Sequence, residues 1–374
     1  MTPSFFALYI HFPWCVKKCP YCDFNSHAQN GELPKALYIN ALIADFKHDY
    51  ALVAGRKISS IFMGGGTPSL FHAEDLRPLF AEILPHCNPD IEITLEANPG
   101  TIEHGQFKDY LDLGINRISL GVQSFNPIHL KKLGRIHNQA DIFKSIAEIK
   151  SAGFKNFNLD LMHGLPNQTA AEALDDLKQA IALEPTHLSW YQLTIEPNTY
   201  FANYPPALPT ENTLGDIEEA GLALLTTAGF ERYEISAFSR NKQKSQHNLN
   251  YWTFGDYLGI GAGAHGKITL HAPDQIIRTT KPKLPKTYLE KQTCVQMPIP
   301  QSALPFEFMM NVLRLNHGVQ ATLFQERTGV HLTAIETKIN NAIMAKLLSA
   351  NRERIQASDL GYRFLNNLLT QFMD

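Results

Sequence analysis

Cys15-Val-Lys-Lys-Cys19-Pro-Tyr-Cys22 sits just after a short β-rich run, Ala7–His11. Three of the chain's five cysteines fall within these eight residues, and Cys87 and Cys294 lie far away. An odd number clustered at one end of a long chain makes a poor disulfide framework and points to a metal in a reducing compartment. The Cx3Cx2C spacing, with its proline, favours a tight loop whose thiolates face one point. Four readings follow. One is a structural zinc with His11 or His27 as fourth ligand. The second is a redox CxxC pair plus a spare thiol, and the third is three buried, unliganded cysteines. The fourth is an iron–sulfur cluster, which three thiolates would hold with one iron left open.

Outward from the cysteines the chain alternates. Strand-like runs at Ala7–His11, Ile58–Met63, Ile91–Glu96, Arg117–Val122, Asn156–Asp160, His187–Leu193 and Tyr233–Ser236 are separated by stretches of helical period. The helical stretches are Pro34–Leu52, Ala73–Leu84, Gln106–Leu113, Gln139–Ala152 and Ala170–Leu183. Repeated βα units read as an α/β fold with a parallel sheet, a partial (β/α)6 barrel with a doubly wound open sheet as the alternative. The barrel is favoured because chemically loaded loops follow the strands: Cys15–Cys22, Gly64–Pro68, Glu96–Gly100, Gln123–Phe125, Asp160–Pro166 and Thr194–Asn198. Active sites of parallel barrels are built from loops at the strand C-termini.

The 374 residues suggest a barrel-sized domain with a smaller appendage. The expected division is 1–280 for the barrel and its extension, 281–300 for a proline-bearing linker, and 301–374 for a C-terminal helical, winged-helix-like module. An apolar fraction of 44% excludes a mostly disordered chain, and a net charge of −3 excludes a general polyanion binder. The C-terminal part carries 7 basic against 6 acidic residues, which argues against DNA docking. There is no secretory signal pattern and no run of 18 apolar residues, so a cytoplasmic location is expected, with at most peripheral contact at a membrane.

Gly64-Gly65-Gly66-Thr67-Pro68, downstream of the cysteines, joins them in a resemblance to the radical S-adenosylmethionine (SAM) superfamily. Further stretches extend it to the oxygen-independent coproporphyrinogen III oxidase-like branch: Tyr9-Ile-His-Phe-Pro-Trp-Cys15, Leu95-Glu-Ala-Asn-Pro-Gly100, Gly121-Val-Gln-Ser-Phe125, Leu133-Gly-Arg-Ile-His137 and Asn158-Leu-Asp-Leu-Met-His-Gly-Leu-Pro166. The resemblance implies that Cys15, Cys19 and Cys22 hold a [4Fe-4S] cluster. It implies that Tyr9, Tyr21, Gly64, Gly65, Thr67, Glu96, Gln123, Arg135 and Asp160 surround SAM. Arg can pair bidentately with the SAM carboxylate, and Glu, Gln and Asp can accept from its amino group or ribose hydroxyls.

Two departures separate the chain from a true oxidase. The oxidase pattern continues to a fourth cysteine, whereas Cys22-Asp23-Phe24 has none, and only 14 residues precede Cys15 where the oxidase carries an extension. Both match the paralogous haem-chaperone group, as do Cys19-Pro-Tyr-Cys-Asp-Phe-Asn-Ser-His27 and His247-Asn-Leu-Asn-Tyr-Trp252. That group implies haem as cargo, delivery to apo-haemoproteins such as respiratory enzymes, and a homodimer. Porphyrinogen decarboxylation and a radical SAM reaction on another substrate are the enzymatic alternatives. His247, beside Tyr251 and Trp252, is the first candidate haem ligand. His265, in the Gly-rich segment Gly259–Gly266, is the second. The basic stretch Arg278–Lys291 is a candidate partner for haem propionates.

Overall fold

The computed structural model describes residues 5–53, 55–101, 105–271, 274–291 and 293–373. Among the described residues fourteen strands precede the C-terminal module. They are β1 (Phe6–Phe12), β2 (Trp14–Cys15), β3 (His27–Ala28), β4 (Ile58–Gly65), β5 (Cys87–Ala97), β6 (Arg117–Gln123), β7 (Phe157–His163), β8 (His187–Gln192), β9 (Glu231–Arg232), β10 (Ala237–Ser239), β11 (Asp256–Ile260), β12 (His265–His271), β13 (Asp274–Thr280) and β14 (Val295–Pro298). Twelve of them form one sheet in the order β14-β13-β12-β11-β1-β4-β5-β6-β7-β8-β10-β9.

Every neighbouring pair from β11 through β1 to β8 is parallel. Strands of parallel sheets are covered on both faces and read as near-continuous apolar runs. Strand β6 shows this, with every residue of Arg-Ile-Ser-Leu-Gly-Val-Gln buried. The outer faces are covered by helices such as Lys35–Tyr50, Ala73–Ile83, Gln106–Leu113, Gln139–Ala152 and Ala170–Ala182. Their ends follow capping chemistry. The Asn138 side chain accepts from the amides of Ala140 and Asp141, and Gly153, at φ 100°, ends that helix in the left-handed conformation. The sheet is a partial barrel whose parallel strands all deliver their C-terminal ends to one mouth.

Two expectations need correction. Tyr233–Ser236 is the turn between β9 and β10, a hairpin antiparallel to β8. The seventh parallel strand is instead β11, paired with β1 from Phe6 opposite Asp256 to Ile10 opposite Ile260. The stretch 281–300 is structured rather than a free linker. It holds the helix Pro285–Lys291 and strand β14, which pairs with β13. Lys281 is buried there against the carboxylates of Asp45 and Asp49, the latter at 2.8 Å. Asp45 also accepts from the Gly261 amide at 3.0 Å and the Tyr288 hydroxyl at 2.7 Å, so this buried cluster anchors the Gly-rich turn before β12.

The C-terminal module has its own apolar cluster around Phe308, Val312, Phe324, Ile335, Ala342 and Leu368. Its helices include Leu304–Val312, Thr322–Thr328, Glu336–Met344 and Leu365–Thr370, beside a two-strand ribbon, β15 (Val319–Gln320) with β16 (Arg354–Ile355). Ion pairs Arg314–Glu234 (3.1 Å) and Arg278–Glu307 (2.5 Å) tie it to the barrel. Among the described residues no helix is long and apolar enough to cross a membrane.

Candidate cofactor site and a second cleft

The cysteine loop leaves β1 through β2 and returns through β3, with Trp14 opposite His27 and Cys15 opposite Ala28. The glycine loop after β4 is pinned against it. The Gly66 amide donates to the Phe12 carbonyl at 2.6 Å and the Thr67 amide to the Trp14 carbonyl at 2.7 Å. Such close approach demands glycine. A Cβ on Gly66 would lie 2.4 Å from the Trp14 carbonyl oxygen, and Gly65 sits at φ 108° with its Cβ position 2.3 Å from the His11 ring.

These two loops wall a cleft of about 320 Å³ at the barrel mouth. Cys15, Cys19 and Cys22 line it together with Tyr21, Gly65, Thr67, Glu96, Gln123, Arg135 and Asp160. Gly64 lies just behind the wall, its Cβ position 3.0 Å from the Glu96 carboxylate. Tyr9 does not line this cleft; it faces the neighbouring one. Asn98, Ser119, Gly121, Ser189 and Tyr191 line the first cleft without having been singled out. A period-two reading would have found most of them. Ser119, Gly121 and Gln123 on β6, Asn158 and Asp160 on β7, and Ser189 and Tyr191 on β8 alternate inward.

The cleft is electrostatically prepared for a cation. Burial, then the neighbouring charge of Asp160, raises the Glu96 carboxyl to about 8, against the lowering effect of the Gly65 amide, which donates to it at 3.2 Å. Burial likewise raises Asp160, which accepts from Ser119 at 3.1 Å and Asn158 at 2.7 Å. Two buried carboxyls that oppose each other's ionisation are both relieved by a cationic ligand. Arg135 points differently from the expected carboxylate clamp. It donates to Asn98, to the Gly121 carbonyl at 2.9 Å and to the Cys19 sulfur at 3.6 Å, leaving its buried Nε without a partner. Gln123 holds the strained φ of 69°, and its Oε1 accepts from the Tyr191 hydroxyl at 2.8 Å. Asp176 fixes this bend from behind by accepting from Ser124 Oγ and the Phe125 amide, both at 2.7 Å.

Among the described residues no three His, Cys, Asp or Glu side chains converge on a single metal-ion position. A cubane asks for something else, thiolates spaced around a shared cavity with one to each iron. Three cysteine sulfurs on one cleft fit that donor set.

A second cleft of about 560 Å³ opens on the other side of the cysteine loop. Cys22, Phe24 and Gly65 border both. Its floor is Tyr9 and His11, and its far wall is Tyr251, Tyr257, Gly263, His265 and Lys283. His265 is exposed, with Nδ1 3.4 Å from Thr280 Oγ1. Its partial desolvation, then the charges of Lys283 and Arg278, lowers its pKa.

His247 is placed otherwise. It is 0% exposed, with Nδ1 3.1 Å from Ser60 Oγ and Nε2 2.9 Å from the Tyr251 hydroxyl. Burial, then the charge of Arg117, lowers it to about 3. Both ring nitrogens are engaged inside the barrel, so neither faces a ligand. The basic stretch is largely committed as well. Arg278 pairs with Glu307, Lys281 with Asp45 and Asp49, and Lys286 lies 3.9 Å from Glu290. Lys283 is the member that lines the second cleft.

The Radical SAM superfamily profile matches residues 9–180, and the HemN C-terminal domain profile matches 299–364. The haem chaperone HemW of Haemophilus influenzae is 50% identical over 374 residues, covering 98% of this chain and 97% of that protein. This chain belongs to the HemW group of the radical SAM superfamily. HemW of Escherichia coli is 48% identical, covering 98% of each. Among solved structures, the Escherichia coli coproporphyrinogen III oxidase HemN has a TM-score of 0.82 at 22% identity, covering 98% of this chain and 90% of that one. This supports the radical SAM fold, with its HemN-like C-terminal module. Membership of the radical SAM superfamily implies a [4Fe-4S] cluster and SAM as cofactors.

Proposed function

We propose that this chain is a haem chaperone that binds haem as cargo and passes it to apo-haemoproteins, respiratory enzymes among them. Cys15, Cys19 and Cys22 are the cluster ligands. Tyr21, Gly64, Gly65, Thr67, Glu96, Gln123, Arg135 and Asp160 form the SAM site, with Tyr9 at its border. When bound, the cluster would supply the electron that radical SAM chemistry uses. The residues themselves offer two opposed carboxyls for the cationic part of SAM and backbone groups of the glycine loop for close approach.

The second cleft carries the reading. It pairs an exposed histidine with Tyr257 and Lys283, which suits an iron ligand, a ring to pack on the macrocycle and a cation for a propionate. His265 therefore takes precedence over His247 as haem ligand. Homodimerisation and delivery from the cytoplasm, with peripheral contact at the membrane, accord with a soluble carrier.

One reconstituted sample tests this in two assays. Hemin titration is expected to saturate, and coproporphyrinogen III with SAM and a reductant is expected to yield no protoporphyrinogen. Turnover of coproporphyrinogen without hemin binding overturns the chaperone in favour of the oxidase.

A further inference from the structure

A further cavity, of about 390 Å³, lies in the C-terminal module and shares no lining residue with either cleft. Ala321, Leu332, Ile339, Ile343, Leu348 and Ile355 give it an aliphatic lining. One side is the helix Glu336–Met344, where Glu336, Ile339 and Ile343 recur at three- and four-residue spacing and form one stripe. The other side is the β15–β16 ribbon and its extension. Leu348 bridges to Ala357, and the Ser349 amide donates to the Gln356 carbonyl at 2.9 Å. The amides of Leu347 and Leu348 both reach the Ala342 carbonyl, at 2.9 and 3.2 Å, which ties the ribbon back to the helix. The cavity is thus built on fixed walls, yet Leu332, Ile339 and Ile343 remain only half-buried.

Its mouth is the turn Ser349-Ala-Asn-Arg352. Ser349 Oγ accepts from the Asn351 amide at 3.3 Å, and Asn351 Oδ1 accepts from the Glu353 amide at 3.0 Å. Arg352 Nη2 donates to Asn340 Oδ1 at 2.6 Å. The Ser349 hydroxyl proton, the Asn351 side-chain N–H groups and the other donors of the Arg352 guanidinium have no acceptor among the described residues. Arg354 adds a second positive charge. Its Nε donates to the His317 carbonyl at 3.0 Å and its Nη2 to the Gly318 carbonyl at 3.1 Å, which satisfies donors but leaves the charge uncompensated. Neither arginine has an ion-pair partner among the described residues. Glu336 is the one acid on the lining, a helical turn before Asn340, and it disfavours a negative group at that end.

We propose that this cavity binds a single-chain aliphatic carboxylate, its tail along Ile339, Ile343 and Leu348 and its head on the turn that carries Ser349, Asn351 and Arg352. An apolar cavity with a few convergent polar groups is the general form of a small-molecule site, and a guanidinium matches a carboxylate in charge and in fork geometry. At roughly 30 Å³ for a water-sized group, the cavity holds one chain of about ten carbons with its head. A two-chain lipid exceeds that volume. The site is independent of the haem reading and extends the chain's ligands beyond it.

The test is calorimetric titration of the full, cluster-loaded chain with sodium decanoate, in the absence of hemin. Saturable binding is expected with a Kd of about 0.1 mM or tighter. Decanol, which keeps the tail and lacks the charge, is expected to bind at least about fivefold more weakly, and butyrate, which lacks the tail, not measurably. Arg352→Ala removes an exposed side chain and is expected to weaken decanoate at least about fivefold with an unchanged melting point. Ile339→Phe fills the cavity and is expected to weaken it at least about tenfold. Ile343→Phe does the same from the next turn and decides if Ile339→Phe fails to fold.

Absence of saturable heat up to about 1 mM decanoate overturns the proposal. Equal affinity for decanol and decanoate overturns the anionic head. Decanoate affinity within about twofold of the unaltered chain in Arg352→Ala and in the folded phenylalanine variant overturns the location, and loss of binding only in His265→Ala assigns the ligand to the second cleft instead. Because no haem is present, these outcomes are separate from success or failure of the chaperone reading.

Discussion

The two clefts share a partition but are made differently. The first is walled by strand ends of the parallel sheet, β4 to β8, so each polar residue arrives by the same rule of inward alternation. The far wall of the second comes from β11, the antiparallel β12 and the turn between them, held by a buried cluster of Lys281, Asp45 and Tyr288. A regular scaffold repeats one geometry and marks its functional residues by position. An irregular wall must be locked residue by residue, and its functional positions follow no period.

The largest expected effect separates the clefts by their metal chemistry. Replacing Cys15, Cys19 and Cys22 together by Ala should reduce reconstituted iron to background and abolish the broad absorbance near ~400 nm, while far-ultraviolet circular dichroism stays unchanged. Retention of stoichiometric iron in this variant would break the assignment of the first cleft.

Acid should next act on the barrel. Burial, aided by Arg135, Arg232 and Arg117 in turn, lowers His137 to about 4, His163 to about 4 and His247 to about 3. Below pH 6.5 the unfolded chain takes up protons that these folded histidines refuse. Their contribution is therefore complete above pH 6.5 and is lost as the pH falls toward 4. The thermal midpoint is expected to drop by about 10 °C or more between pH 7 and 4.5. A flat profile in a melting series would remove His247 and its companions from the neutral core.

The two candidate haem ligands sharpen the contrast between core and cleft. His247→Ala should cost about 2–4 kcal/mol of stability, because it leaves a cavity and deprives Ser60 and Tyr251 of their partner. Its hemin affinity should stay within about twofold. His265→Ala should do the reverse, with an unchanged melting point and hemin affinity reduced by about tenfold. Titration and denaturant unfolding of the same two variants decide, and exchanged phenotypes would return the ligand role to His247.

The smallest effect concerns Glu96. A carboxyl near 8 is mostly protonated at pH 7, and a cationic ligand draws it down. SAM binding should release up to about one proton, measured by calorimetry in buffers of different ionisation enthalpy. Glu96→Gln should abolish that release. Equal release by both proteins would take Glu96 out of the cation's reach.

Sequence reached the first cleft far better than the second. The helices Gln106–Leu113 and Gln139–Ala152 run between the residues expected, since their caps and periods are local. The cysteines, Gly65, Thr67, Glu96, Gln123, Arg135 and Asp160 meet because successive parallel strands share one mouth. β11 is not legible as a strand because it is only five residues long, runs into a glycine-rich segment and pairs with β1 some 250 residues earlier. His247 reads as a haem ligand because Tyr251 and Trp252 stand beside it, yet the helix Gln246–Trp252 turns it into the barrel toward Ser60. Asn25 gave no pattern at all. Its side chain donates to the carbonyls of Ala262 and Lys283, 237 and 258 residues away.

The pairing of β1 with β11 also sets an order of events during translation. Strands β1 and β4 and the loop between them leave the ribosome within the first 65 residues, whereas β11 ends at residue 260. At 5–20 residues per second the interval is roughly 10–40 s. The nascent chain therefore has its cysteine loop long before the far wall of the second cleft exists, so the two sides of that cleft are made at well-separated times.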